Sequence, residues 1–139
     1  MKRFFLLTLA SAALLGASAA PVKTYEVKSP DGRLALVLTA GERLSFTVAR
    51  DGEPLVAPSE MALTLSTGEV LGESPRVRSA RRRAVTETID APLYRQSRFD
   101  AAYNELDLRL RGDYGILARA YDDGVCYRFY TERDGELTI

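Results

Sequence analysis

Two pairs of carboxylates stand at spacings where acid–base chemistry could use them: Glu105 with Asp107, and Asp122 with Asp123. Such chemistry needs two groups whose surroundings push their pKa values apart. Glu105 and Asp107 lie two residues apart and would share a strand face, as any polar pair on an amphipathic strand does. Asp122 and Asp123 precede Gly124, in a turn where Asp is favoured because its side chain bonds nearby backbone. Both pairs therefore read as strand and turn chemistry. The chain has no histidine, which excludes Ser-His and Cys-His nucleophile pairs and a His-based zinc site within these residues. The single cysteine, Cys126, rules out an internal disulfide and reads as a small strand residue rather than a reactive thiol. No calcium-loop or phosphate-loop motif is present. Residues 1–139 offer no catalytic group of their own.

The elements that would position these residues are strands. Leu106, Leu108 and Leu110 alternate with Asp107, Arg109 and Arg111, giving one apolar and one charged face. Gly112-Asp113-Tyr114-Gly115 is expected to turn the chain. Ile116, Ala118 and Ala120 then alternate with Leu117, Arg119 and Tyr121. A second turn at Asp122-Asp123-Gly124 leads to Val125, Tyr127 and Phe129, alternating with Cys126, Arg128 and Tyr130. Asp-Gly between alternating strands signals a hairpin, because both central residues of a type I′ turn need positive φ. Tyr103–Tyr130 is thus a three-stranded meander.

The same pattern runs through the earlier chain. Leu34, Leu36 and Leu38 alternate with Ala35 and Val37, predicting a strand covered on both faces. Leu44, Phe46 and Val48 mark a strand with one core face, and Asp51-Gly52 closes a hairpin onto Pro54-Leu55-Val56. Ala62 to Leu65 is a further strand. Glu73 to Ala84 holds Arg76, Arg78, Arg81, Arg82 and Arg83; it reads as a solvated strand and loop, although an anion or polysaccharide patch is the functional alternative. Val85 to Ile89 reads as another strand, stopped by Pro92. No helical period competes, so the fold class is all-β, an antiparallel β-sandwich.

The first 19 residues are set apart. Lys2 and Arg3 precede an apolar run from Phe4 to Leu15, and Ala17-Ser18-Ala19 is an A-x-A cleavage site. This predicts a signal peptide over residues 1–19 and a mature β-domain over 20–139, exported to the periplasm or beyond. A membrane anchor is the alternative for the leader; after cleavage no membrane attachment is expected. The chain has 19 basic and 19 acidic residues, and losing Lys2 and Arg3 leaves an excess of two acidic groups. That balance argues against a nucleic-acid partner.

Tyr103-Asn104-Glu105-Leu106, followed after a hairpin by Ala120-Tyr121-Asp122-Asp123-Gly124-Val125-Cys126-Tyr127-Arg128-Phe129, resembles the N-terminal domain of glycoside hydrolase family 97. Ser29-Pro30-Asp31-Gly32, Arg50-Asp51-Gly52-Glu53-Pro54 and Pro92-Leu93-Tyr94 fall in the family's order, so the likeness spans roughly Val27 to Phe129. Cys126 departs from it, standing where the family usually has glycine. The resemblance implies a partial, galactose-mutarotase-like β-super-sandwich, truncated before a catalytic (β/α)8 barrel. The barrel would carry the catalytic carboxylates, and calcium is implied for the full-length enzyme, with no cofactor within this chain. The implied partners are the barrel of the same polypeptide and an oligosaccharide. The implied enzyme is an exported α-glycosidase of α-glucosidase or α-galactosidase type, this chain being its non-catalytic, carbohydrate-associated part. Because the domain would pack over the barrel's substrate face, Tyr103, Asn104 and Glu105 are the candidate carbohydrate-binding residues. The alternative is a secreted non-catalytic β-sandwich that binds carbohydrate or a protein partner.

Overall fold

The computed structural model describes residues 21–90, Pro92 and 98–139. The predicted leader, and Leu93 and Tyr94 of the Pro92-Leu93-Tyr94 motif, lie outside the described residues. Every regular element described is a strand: β1 (Lys23–Lys28), β2 (Leu34–Ala40), β3 (Leu44–Arg50), β4 (Glu53–Glu60), β5 (Leu63–Thr64), β6 (Val70–Leu71), β7 (Val77–Asp90), β8 (Arg98–Leu110), β9 (Tyr114–Ala120) and β10 (Val125–Thr131). Two four-stranded antiparallel sheets, β1-β2-β3-β4 and β10-β9-β8-β7, are joined by the small β5-β6 pair.

The core follows from period-2 alternation. Leu36 and Leu38 from the first sheet and Leu106, Leu108 and Ile116 from the second are wholly buried in one cluster. β1 and β2 pack across β8 and β9, forming the predicted sandwich. The predicted meander is present in full, with Glu105 opposite Arg119 and Arg119 opposite Cys126.

Four expectations need adjustment. The first meander turn is Arg111-Gly112-Asp113, since Leu110 pairs with Tyr114, and Gly115 is a strand residue. Gly115 serves close packing instead: a Cβ there would lie 2.5 Å from the Tyr130 ring. Of the four Asp-Gly pairs, only Asp51-Gly52 has both residues at positive φ, 51° and 87°, as a type I′ turn demands. Asp123-Gly124 belongs to a longer loop closed by a bond from the Tyr121 N–H to the Gly124 carbonyl. β2 is fully buried on one face and only half-buried on the other, where Ala35, Val37 and Thr39 lie. The arginine run is the solvated loop and strand expected, with Arg76 in the loop and the strand starting at Val77. That strand does not end before Val85: one strand, β7, runs on to Asp90 after a register shift between Val77 and Ser79.

β1 has a hydrogen-bonded neighbour on one side only. Its other attachment comes from the second sheet. Arg82 Nε donates to the Glu26 carbonyl at 2.9 Å and Asn104 Nδ2 donates to the Lys28 carbonyl at 2.8 Å. These carbonyls are two residues apart and so point to the same side of the strand. The two side chains clasp the sandwich where its apolar core ends. Arg82→Ala and Asn104→Ala should each destabilise by about 1 kcal/mol. Hydrogen exchange should report faster opening of β1 amides before those of β2, whereas uniform loss of protection across both strands would contradict the clasp.

Candidate functional site

The outward face of the second sheet is polar yet partly closed. Glu105 on β8 stands between Arg83 on β7 and Arg119 on β9, its cross-strand partners. Arg83 Nε donates to one carboxylate oxygen and Arg119 Nε to the other, the latter at 2.8 Å. Glu105 is only 3% exposed although it faces away from the core. Burial alone would raise its pKa, but the two guanidiniums outweigh that and hold it below the usual carboxylate range.

Tyr103, two residues back on the same face, is 2% exposed. Arg119 lies 4.5 Å from its ring centroid, and the Tyr121 ring sits against it at 4.9 Å, tilted by 42°. Burial, with the nearby Glu87 carboxylate second, pushes its phenol above the ordinary value. Further along, Tyr130 crosses Gly115 and donates its hydroxyl to Asp107; burial first and that carboxylate second push the phenol up to about 12.

Beyond Asn104 the sheet narrows. β9 pairs with β8 only over Asn104–Leu110, while β7 and β8 remain paired out to Asp90 and Arg98. The outer parts of β7 and β8 therefore form a two-stranded ribbon with no third strand. Its faces differ. Val85, Ile89, Phe99 and Ala101 share the side that carries Tyr103, with Glu87 among them. Thr86, Thr88, Asp90, Arg98 and Asp100 share the other. Phe99 is 43% exposed, Val85, Ile89 and Ala101 are half-buried, and, Tyr103 aside, no ribbon residue is fully buried. An isolated two-stranded ribbon is marginally stable in water, and this one presents an apolar face to nothing described.

The three sequence-predicted carbohydrate residues are not brought to one surface. Tyr103 and Glu105 share the outward face, and Asn104, pointing oppositely, holds β1. A cavity of about 250 Å³ between β1 and the edge of β7 is lined by Asn104 and Glu105 together with Lys28, Arg82 and Arg83; Tyr103 does not reach it. Arg83 and Arg119 were missed as partners of Glu105. Arg119 was accessible in principle, because a hairpin centred on Gly112 places it opposite Glu105. Arg83 lies across a connection whose length gives no register. The turn carboxylates also act structurally, Asp122 accepting a 2.9 Å bond from the Asp31 N–H. Cys126 is exposed. Among the described residues no three potential metal ligands converge.

The family description "Glycosyl-hydrolase 97 N-terminal" matches residues 27–139. The chain belongs to this family. It is 37% identical over 110 residues to a retaining alpha-galactosidase of Bacteroides thetaiotaomicron, covering 79% of this chain and 17% of that protein. A glycoside hydrolase family 97 enzyme from Pseudoalteromonas sp. strain K8, solved in complex with acarbose, superposes with a TM-score of 0.72 at 16% identity, over 80% of this chain and 18% of that one. A beta-arabinopyranosidase gives the same TM-score and coverages at 19% identity. The domain thus spans under a fifth of the length of these relatives.

The ion-pair network makes a prediction about acid stability. A carboxylate whose pKa is lowered by folding stabilises above its unfolded pKa, about 4.3 for Glu, and loses that contribution as pH falls through the folded value. Glu105→Gln should therefore cost about 1–2 kcal/mol near neutrality. The gap between parent and variant should close on acidification below about pH 4. Urea unfolding at a series of pH values measures it, and a gap that widens in acid would contradict the assignment.

Proposed function

We propose that this chain is the N-terminal, non-catalytic and carbohydrate-associated domain of an exported α-glycosidase, of α-glucosidase or α-galactosidase type. In this reading the outward face of β7–β9 and its ribbon pack against a catalytic (β/α)8 barrel in the same polypeptide. The observation that carries it is the amphipathic ribbon: Val85, Ile89, Phe99 and Ala101 form an apolar stripe with nothing described against it, continuous with the polar face around Glu105. A projecting strand pair gains little by exposing such a stripe and gains stability by burying it. The family membership and the small share of its relatives' length support the same reading.

Within this proposal the roles of the predicted carbohydrate residues divide. Asn104 keeps an amide oxygen available beside the 250 Å³ cavity. Glu105 acts through Arg83, whose side chain is 66% exposed, and is a positioning residue for an oligosaccharide contact. Tyr103 backs the network. The calcium ion implied for full-length relatives finds no cluster of three acidic ligands among the described residues, and no step of the proposal runs through it.

The test compares residues 20–139 alone with the longer polypeptide read from the intact gene. Amides of Thr86–Asp90 and Arg98–Ala102 should exchange at least tenfold more slowly in the longer protein. Phe99→Ser should lower its kcat/KM about tenfold, equivalent to about 1.4 kcal/mol, while leaving the melting of residues 20–139 unchanged. Equal exchange in the two proteins, or an unaffected kcat/KM, would overturn the docking assignment.

A further inference from the structure

A second cleft lies at the opposite end of β1 from the Asn104 clasp. It measures about 330 Å³ and is rimmed by Lys23, Arg76 and Arg111. Backbone pairing fixes this convergence. Lys23 opens β1 opposite Ala40, Arg76 precedes β7, and Arg111 follows β8, its N–H donating to the Arg76 carbonyl at 2.8 Å. Three cations from three segments are thereby held around one opening.

Their company is unusual for this protein. Most of its other arginines are spoken for: Arg33 by Asp51, Arg43 by Glu60, Arg78 by Asp113, Arg83 and Arg119 by Glu105, and Arg133 by Glu69. Among the described residues Lys23, Arg76 and Arg111 make no ion pair, and no carboxylate lines the cleft. The acidic residues nearest in sequence are engaged elsewhere: Glu26 pairs with Lys28, Asp113 pairs with Arg78, and Glu73 lines a different cavity. Like charges brought together without counter-charge raise the local positive potential, and low-dielectric walls focus it. Here the floor supplies those walls, from Ala40, Pro75 and Val77.

We propose that this cleft is an accessory site for an acidic saccharide, one bearing a carboxylate or sulfate group. The chemistry divides along the lining. Arginine forks pair with the planar oxygens of a carboxylate or with sulfate oxygens, while the apolar floor accepts the C–H face of a sugar ring. The volume falls at the lower end of the range for small-molecule sites, consistent with a short oligosaccharide end. The saccharide half of this inference rests on the reading of the chain as a carbohydrate-associated domain; the anion half rests on the cleft alone. The cleft is separate from the ribbon and from Glu105, so the site adds a charged-ligand preference that the docking face does not supply.

The test uses residues 20–139 and backbone amide NMR, with a glucuronate-containing disaccharide, its neutral glucose counterpart and inorganic sulfate as three separate titrants. The acidic disaccharide should shift the amides of Lys23, Val77 and Arg111 saturably, and raising the ionic strength should weaken it. Arg76→Gln combined with Arg111→Gln should weaken it at least tenfold without lowering the melting temperature. Sulfate should compete, but more weakly. The inference is overturned by no binding, by equal shifts from the neutral disaccharide, or by unchanged binding in the double variant. Sulfate binding as tight as the disaccharide's would reduce the site to an anion hole and defeat the saccharide assignment. Ribbon protection is read in a different experiment on different amides, so either result can fail without the other.

Discussion

Leu106, Leu108 and Leu110 are buried to 1% exposure or less, and a one-residue slip of β8 would put Glu105, Asp107 and Arg109 in their place. Burying those charges without partners would cost several kcal/mol each, so the register of β8 is fixed more firmly than that of any neighbour. The rest is set from it. β9 takes its register through Leu108 and Ile116, β7 through Ala80 and Leu108, and the outward face inherits an order in which Arg83, Glu105 and Arg119 fall in one row.

That row shows how an outward-facing carboxylate becomes buried without entering the core. Arg83 and Arg119 approach Glu105 from both sides, and their charges satisfy its two oxygens. Arg119 spans two tasks, since the same side chain lies over Tyr103. Replacing it by lysine would keep the charge but lose the planar stacking surface and the fork. The outward face is therefore a preassembled layer rather than a set of independent surface residues.

The meander was legible in the sequence because its strands are adjacent, short-looped and strictly alternating from Leu106 to Phe129. β7 was not. Of its inward residues Ala80, Arg82 and Ala84, only Ala80 packs against the apolar core, while Arg82 and Ala84 are exposed, so alternation has little burial to record. The site fared likewise. Glu105 and Asn104 were picked out by type, but their partners are Arg83 and the Lys28 carbonyl, 22 and 76 residues away, and a single sequence carries no long-range register. Asp51-Gly52 was read correctly because its requirement is local; Asp123-Gly124 was misread because the same dipeptide tolerates a longer loop.

The ribbon has a consequence for the order of events in synthesis. The apolar core takes its last contributions from β10 and Leu137, yet the outer halves of β7 and β8 bury almost nothing in it. In a polypeptide that continues beyond Ile139, the sandwich would close first and carry the ribbon as an uncommitted arm until the next domain emerged. Such an arm is a strand pair with two open edges during the interval when intermolecular pairing is most damaging. The face opposite its apolar stripe carries Asp90, Arg98 and Asp100 at the outer end, and charges on an open edge disfavour pairing with a second chain.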